Sequence, residues 1–195
     1  MDNDQLVAAI RKRAVDTSAR TDCVDIKCPE LGALASPEVV LEAQRAMGCI
    51  LHPLHRRLFE EVANGGFGPG YGLIGLPGGT LDSEGRSLVE LREILWIDSE
   101  TPMPHPVVPL CDWGGAIWSC LDSETGAVLT MDEDGLTDMG QSFSSWLENW
   151  VSGVSLWSER VVHEERIFIN PFTKMPMKDQ VPIKIVGTPY VPRRR

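Results

Sequence analysis

The run Val107-Val108-Pro109-Leu110-Cys111-Asp112-Trp113, then Ala116-Ile117-Trp118-Ser119-Cys120-Leu121-Asp122, then Ala127-Val128-Leu129-Thr130-Met131-Asp132, decides the fold. Each piece is a short apolar segment, and the pieces are parted by Gly114-Gly115 and by Ser123-Glu124-Thr125-Gly126. Short apolar segments divided by turn residues pair with their neighbours, so the spacing predicts an antiparallel meander from Val107 to Met131. Downstream, Phe143, Trp146, Leu147, Trp150 and Val151 recur at helical spacing ahead of Gly153. That stripe predicts a helix over Phe143–Val151 covering one face of the sheet, with Trp146 and Trp150 in the core rather than on a binding platform.

Upstream, Ser36-Pro37-Glu38 supplies an N-cap, a proline at the first helical position and an acid in the first turn. With Val39, Val40, Ala43 and Met47 on one face and Gly48 as a stop, it predicts a helix at Pro37–Met47. Leu54, Leu58 and Val62 predict another over Pro53–Ala63, ended by Asn64-Gly65-Gly66. Gly68, Gly70, Gly72 and Gly75 interleave with Tyr71, Leu73, Ile74 and Leu76, which reads as a loop opening into a strand. Ser87–Trp96 is expected helical, and Pro102, Pro104, Pro106 and Pro109 make an extended crossing into the sheet. At the N-terminus Leu6, Val7 and Ile10 predict a helix over Asp4–Ala14, and near the C-terminus RIFIN and VPIKIVG read as two further strands. The chain thus divides into an N-terminal helix and loop (1–35), a core segment (36–157) and a β-rich extension (158–195), of fold class α+β.

A hydrophobic fraction of 43% and six Trp in 195 residues supply enough apolar surface for one packed domain. No apolar run reaches the roughly 20 residues of a membrane span, and MDNDQLVAAIRKRA is not built like a signal peptide, so a cytoplasmic location is expected. Five Cys at irregular spacing suit reduced, buried thiols better than a disulfide framework. The net charge of -10 is unevenly spread: residues 81–148 hold fourteen acids against Arg86 and Arg92. That segment of -12 repels nucleic acid and attracts a basic protein partner at long range.

Motifs for chemistry fail on context. Gly70-Tyr71-Gly72-Leu73-Ile74-Gly75 has dinucleotide spacing, but a helix precedes it and a strand is expected after it, the reverse of what places phosphate at a helix N-terminus. Cys49, His52 and His55 stand three apart, yet Pro53 lies between the histidines and no tight Cys pair accompanies them. The expectation is a half-exposed His52 at a helix cap and His55 against the core. Around Asp132, Asp134 and Gly135 a calcium-loop register would put Thr130 first and Gln141 last, two wrong ligands. No G-x-S-x-G elbow is present, and His52, His55, His105 and His163 pair with no obvious nucleophile. No catalytic residue, metal or cofactor is therefore expected.

The stretch Met47-Gly48 through Leu51, Pro53-Leu54, Arg56-Arg57, Phe59 and Val62-Ala63-Asn64-Gly65-Gly66-Phe67-Gly68-Pro69-Gly70-Tyr71-Gly72 resembles the helix-and-turn signature of the SUKH superfamily, the Smi/Knr-like proteins. The block Pro109–Asp122, with Asp112-Trp113-Gly114 at its turn, is similar to that family's central hairpin, and Phe143–Val151 to its closing helix. The resemblance spans about Ser36 to Trp157. The sequence departs from it at His52, where the family has the Pro of a Leu-Pro pair, and at His55, a commonly apolar position. It implies an α+β domain with a mainly antiparallel sheet, used to bind proteins. Many bacterial members are immunity proteins against polymorphic toxins; eukaryotic relatives regulate cell-wall synthesis. On it rest two expectations: an immunity protein neutralising a toxin, or alternatively a regulatory or scaffold protein without one. Asn64, Gly65, Gly66, Gly68, Gly70, Gly72, Asp112, Trp113 and Gly114 then have structural roles. The acids Asp98, Glu100, Asp122, Glu124, Asp132, Glu133 and Asp134 are the candidate partner-binding residues.

Overall fold

The computed structural model describes residues 1–22, 28–97, 104, 106–156, 161–170, 172–185 and 187–191. Its helices begin where side chains can satisfy their free N–H groups. Asp2 opens α1 (Asn3–Ala14), accepting from the Gln5 N–H at 2.8 Å while the Gln5 side chain accepts from the Asp2 N–H. Ser36 caps α2 (Pro37–Met47), which ends at Gly48 in the left-handed conformation. The His52 ring accepts from the Leu54 N–H at the start of α3 (Pro53–Glu61). Ser87 and Glu90 bond reciprocally ahead of α4 (Leu88–Ile97), and Ser142 caps α5 (Phe143–Val151).

Strands β1 (Val107–Asp112), β2 (Trp118–Asp122), β3 (Ala127–Asp132) and β4 (Gly135–Ser142) pair antiparallel in chain order. The chain then leaves this sheet to form a two-stranded ribbon, β5 (Val161–Ile169) with β6 (Pro176–Ile185), and returns as β7 (Thr188–Pro189) along β4. The fold is α+β with helices packed against an antiparallel sheet, as the meander predicts.

Two departures from expectation have local causes. Gly68–Leu76 is a tight loop rather than a strand, touching the sheet through a Leu73–Cys111 bridge and an Ile74 N–H to Leu110 carbonyl bond of 2.9 Å. Glycines with positive φ at 68, 70 and 72 keep turning the chain out of the extended conformation. Conversely, GLTDMGQS carries no strand signal, yet it forms β4 because β3 pairs with it from Ala127–Ser142 to Asp132–Gly135, with a bulge at Met139-Gly140 where the register shifts.

Register partners Leu121 and Val128 bury one sheet face with Leu110 against Leu6, Val7 and Ile10 of α1, Leu58 of α3 and Phe143, Trp146 and Trp150 of α5. This core runs across the boundary between 1–35 and 36–157. A second cluster joins α2 and α4 to Val108. There the buried Arg92 donates to the Val107 carbonyl at 2.9 Å and to the Met47 carbonyl at 2.7 Å, tying α4 to β1 and α2. On the opposite face Cys120 and Leu129 are covered in part by Leu95, Leu136 and Tyr190.

Candidate functional site

The glycine-rich loop after α3 is a scaffold for one end of the sheet. Asn64 is buried, accepting from the Leu76 N–H at 2.7 Å and donating to the Leu76 carbonyl at 3.3 Å, so its side chain ties the end of the helix to the far side of the loop. Gly65, Gly66, Gly68, Gly70 and Gly72 all have positive φ. At Gly70 this is obligatory twice over: φ is 61°, and a Cβ there would collide with the Asp112 carbonyl oxygen. The neighbouring Tyr71 N–H donates to that same carbonyl at 3.0 Å.

The Asp112-Trp113-Gly114 turn completes the scaffold. Asp112 is buried, and its carboxylate accepts from the Gly114 N–H at 2.7 Å and the Ser83 hydroxyl at 3.0 Å. Trp113 donates its indole N–H to the Ser119 hydroxyl at 2.9 Å. The Tyr71 hydroxyl would lie 2.6 Å from a Cβ on Gly114, whose φ of 82° itself favours glycine, so the loop and the turn are closely apposed here.

Trp118 opens β2 opposite Met131, so the β3–β4 turn lies at this same end of the sheet. Asp132 pairs with Gly135, and Glu133 and Asp134 form the tip. Asp132 is half-buried and holds the turn by accepting from the Asp134 N–H at 2.9 Å; Glu133 and Asp134 are exposed. Among the described residues no cation is paired with these three acids.

The other candidate acids separate from this group. Asp122 is not available to a partner: it is buried, accepting from the Glu124 and Thr125 N–H groups at 2.9 and 3.0 Å and from the Tyr190 hydroxyl at 2.9 Å. A carboxylate that closes a turn in this way is a structural cap. Glu124 is exposed, but it sits on the β2–β3 turn at the opposite end of the sheet from Glu133. Asp98 and Glu100 lie outside the described residues. Several acids of the segment are used internally: Asp82 and Glu84 pair with Arg86 at 2.7 and 2.8 Å, and Glu148 with the Met1 amino group at 3.0 Å. The count of fourteen therefore overstates the free negative charge; among the described residues the acids that stand next to one another without a cation partner are those of the β3–β4 tip.

A groove of about 740 Å³, largely apolar with Arg45, Arg56 and Glu124 also on its lining, lies between the end of α2, the start of α3 and the β2–β3 turn, and nothing in the motifs of the sequence announces it. Leu41, Ile50, Pro53 and Pro106 line it, and Ile50 is 78% exposed. The available signal was Cys49-Ile50-Leu51, an apolar run in the short link after the helix-stopping Gly48.

His55, Cys49 and Cys120 are packed rather than poised. His55 is fully buried between Phe59 and Phe143, with ring centroids at 4.5 and 5.5 Å, and neither ring nitrogen finds a hydrogen-bond partner. Burial pushes its pKa down to about 3. Burial likewise pushes the Cys49 and Cys120 thiols up, away from the thiolate that a nucleophile or ligand requires. Among the described residues no three His, Cys, Asp or Glu side chains converge as a metal-binding group, and no helix is long and apolar enough to cross a membrane. His105 lies outside the described residues. No family model, curated protein or solved structure matches the chain.

Proposed function

We propose that this chain is a non-enzymatic binding protein of the SUKH, Smi/Knr-like kind, acting in the cytoplasm as an immunity protein that neutralises a basic toxin domain by direct contact. The observation that carries the reading is the β3–β4 tip. Glu133 and Asp134 stand exposed, and among the described residues none of Asp132, Glu133 and Asp134 has a cation partner, on a turn that the half-buried Asp132 holds between the paired strands β3 and β4. Acids on a hairpin whose backbone is already paired cost only their side-chain ordering on binding, and they attract a basic surface that would otherwise bind phosphate. The neighbouring scaffold of Asn64, Gly70, Tyr71, Asp112 and Gly114 holds this end of the sheet in one shape. Among the described residues no three His, Cys, Asp or Glu side chains converge here as a metal-binding group, which supports a binding role for this end of the sheet.

Co-expression with the protein encoded by an adjacent toxin-like reading frame tests the proposal. Rescue of growth, together with a direct complex of the two purified proteins, is the expected outcome. Failure of the chain to rescue or to bind such a neighbour sinks the immunity reading and leaves the regulatory one, which predicts no toxic neighbour.

A further inference from the structure

The turn end of the β5–β6 ribbon is apolar on every side. The chain leaves the body after the buried Leu156 and rejoins it where Thr188 pairs with Asp138, so this turn is the part of the ribbon farthest along the chain from both attachments. Ile167, Phe168 and Ile169 are exposed in a row, and successive strand residues point to opposite faces, so both faces are bare here. Phe168 pairs with Met177, Met175 and Met177 are exposed, and Phe172 in the turn is 91% exposed. A groove on a protein covers one face of a ribbon, whereas a fluid apolar medium covers both faces and the turn at once.

Three further observations fit a lipid surface as that medium. The first is hydrogen bonding: between Asn170 and Pro176 the turn uses its own N–H groups. Asn170 donates to the Met175 carbonyl at 2.9 Å and Lys174 to the Asn170 carbonyl at 2.8 Å. Phe172 and Thr173 donate to the Asn170 side chain at 2.9 and 3.0 Å, and Met175 to the Thr173 hydroxyl at 3.4 Å. Pro171 and Pro176 carry no N–H. A turn satisfied in this way loses little on leaving water. The outward N–H groups along the edges of a two-stranded ribbon still need polar partners, which holds the strands at headgroup level and lets only the turn go deeper.

The second is charge. No acid occurs between Glu165 and Asp179; the bases there are Arg166, Lys174 and Lys178, and Lys178 is paired with Glu165. Lys174 is exposed in the turn among the apolar side chains, the combination by which interfacial segments hold anionic headgroups. The third is reach. Residues 1–157 carry ten bases against twenty-four acids, a net of -14, which an anionic surface repels. That repulsion fades over about 8 Å at physiological salt, and a strand of nine residues spans about 30 Å. The ribbon is therefore long enough for its turn to touch such a surface while the acidic body stays outside the field.

We propose that the turn end of the ribbon, from Ile167 to Met177, is an interfacial anchor that seats on an anionic phospholipid surface, with Phe172 deepest and Lys174 among the headgroups. This is contact with a surface rather than a span, and it does not rest on the toxin reading.

Co-sedimentation of the full chain with vesicles tests it. Vesicles containing phosphatidylglycerol should bind the chain about fivefold or more tighter than vesicles of phosphatidylcholine alone. Ile169→Asp with Phe172→Asp should reduce partitioning by about a hundredfold or more while leaving circular dichroism and Tm unchanged, since both side chains are exposed. Lys174→Gln should weaken binding to the anionic vesicles by about fivefold and leave the neutral ones unaffected. Phe172→Trp should still bind, and its added fluorescence should be quenched by bromine-labelled acyl chains. Absence of binding to either vesicle overturns the proposal, as does binding that survives the double variant or a Trp at 172 that the labelled chains do not quench. Equal binding of Lys174→Gln and the unchanged chain to anionic vesicles overturns the part given to headgroup charge. A dimer in sedimentation velocity that the double variant abolishes, with no vesicle binding, gives the strip to a second copy and likewise overturns the proposal.

Discussion

The Tyr190 hydroxyl donates to Asp122 at 2.9 Å, joining the end of the described chain to a turn 68 residues earlier. Asp122 is already committed to the Glu124 and Thr125 N–H groups, so a single buried carboxylate closes the β2–β3 turn and anchors the returning strand β7. Tyr190→Phe should lower stability by about 1 kcal/mol, the net worth of one hydrogen bond. Asp122→Ala should cost about 2–3 kcal/mol, because it strands three donors. Urea unfolding of the two variants checks the order, and equal losses would argue against Asp122 as the shared anchor.

His55 makes stability depend on pH on the acid side. Its folded pKa of about 3 lies below the ordinary 6.5, so between these values the unfolded chain binds the proton that the folded chain excludes. Stability is fully present above pH 6.5 and falls as pH drops through the window toward 3. From pH 7 to pH 5 the loss from this group is about 2 kcal/mol. His55→Leu should flatten that part of the curve, and an unchanged slope in urea midpoints would contradict the role of this ring.

Gly70 and Gly115 have nearly the same φ, 61° and 60°, but different surroundings. A Cβ at 70 meets the Asp112 carbonyl oxygen, and at 115 it meets nothing. Gly115→Ala should therefore cost only left-handed strain, about 1 kcal/mol, and Gly70→Ala about 3 kcal/mol or more because the end of β1 must shift. Thermal melts of the pair separate strain from collision.

Glu133→Lys with Asp134→Lys should change stability by less than about 0.5 kcal/mol, since both are exposed and neither holds the turn through its side chain. Association with a basic partner should slow by about tenfold or more, and the wild-type rate should fall with salt. A complex formed at the same rate in both proteins and at all ionic strengths would remove the electrostatic part of the proposed function. The same change at Glu124, at the other end of the sheet, should have little effect on that rate.

Elements with complete local signals are legible in the amino-acid order. Helix α2 carries its cap at Ser36, its proline at Pro37 and its stop at Gly48 within thirteen residues, and α5 shows a full apolar stripe. β1, β2 and β3 are apolar runs divided by turn residues, which is why the meander is readable. The half-exposed His52 at the cap and the buried His55 against the core follow from the same helix reading.

What the order of residues leaves open is set by contacts distant along the chain. GLTDMGQS becomes β4 only because β3 and β7 flank it, and Gly68–Leu76 turns rather than extends because it closes against Asp112. Charge is the clearest case. The sequence places fourteen acids in one segment, but an antiparallel meander sends successive turns to opposite ends, and folding buries Asp112 and Asp122 under donors from other elements. Composition can count the acids; only packing decides which of them still face water, because a carboxylate buried among the N–H and O–H groups it holds is out of a partner's reach.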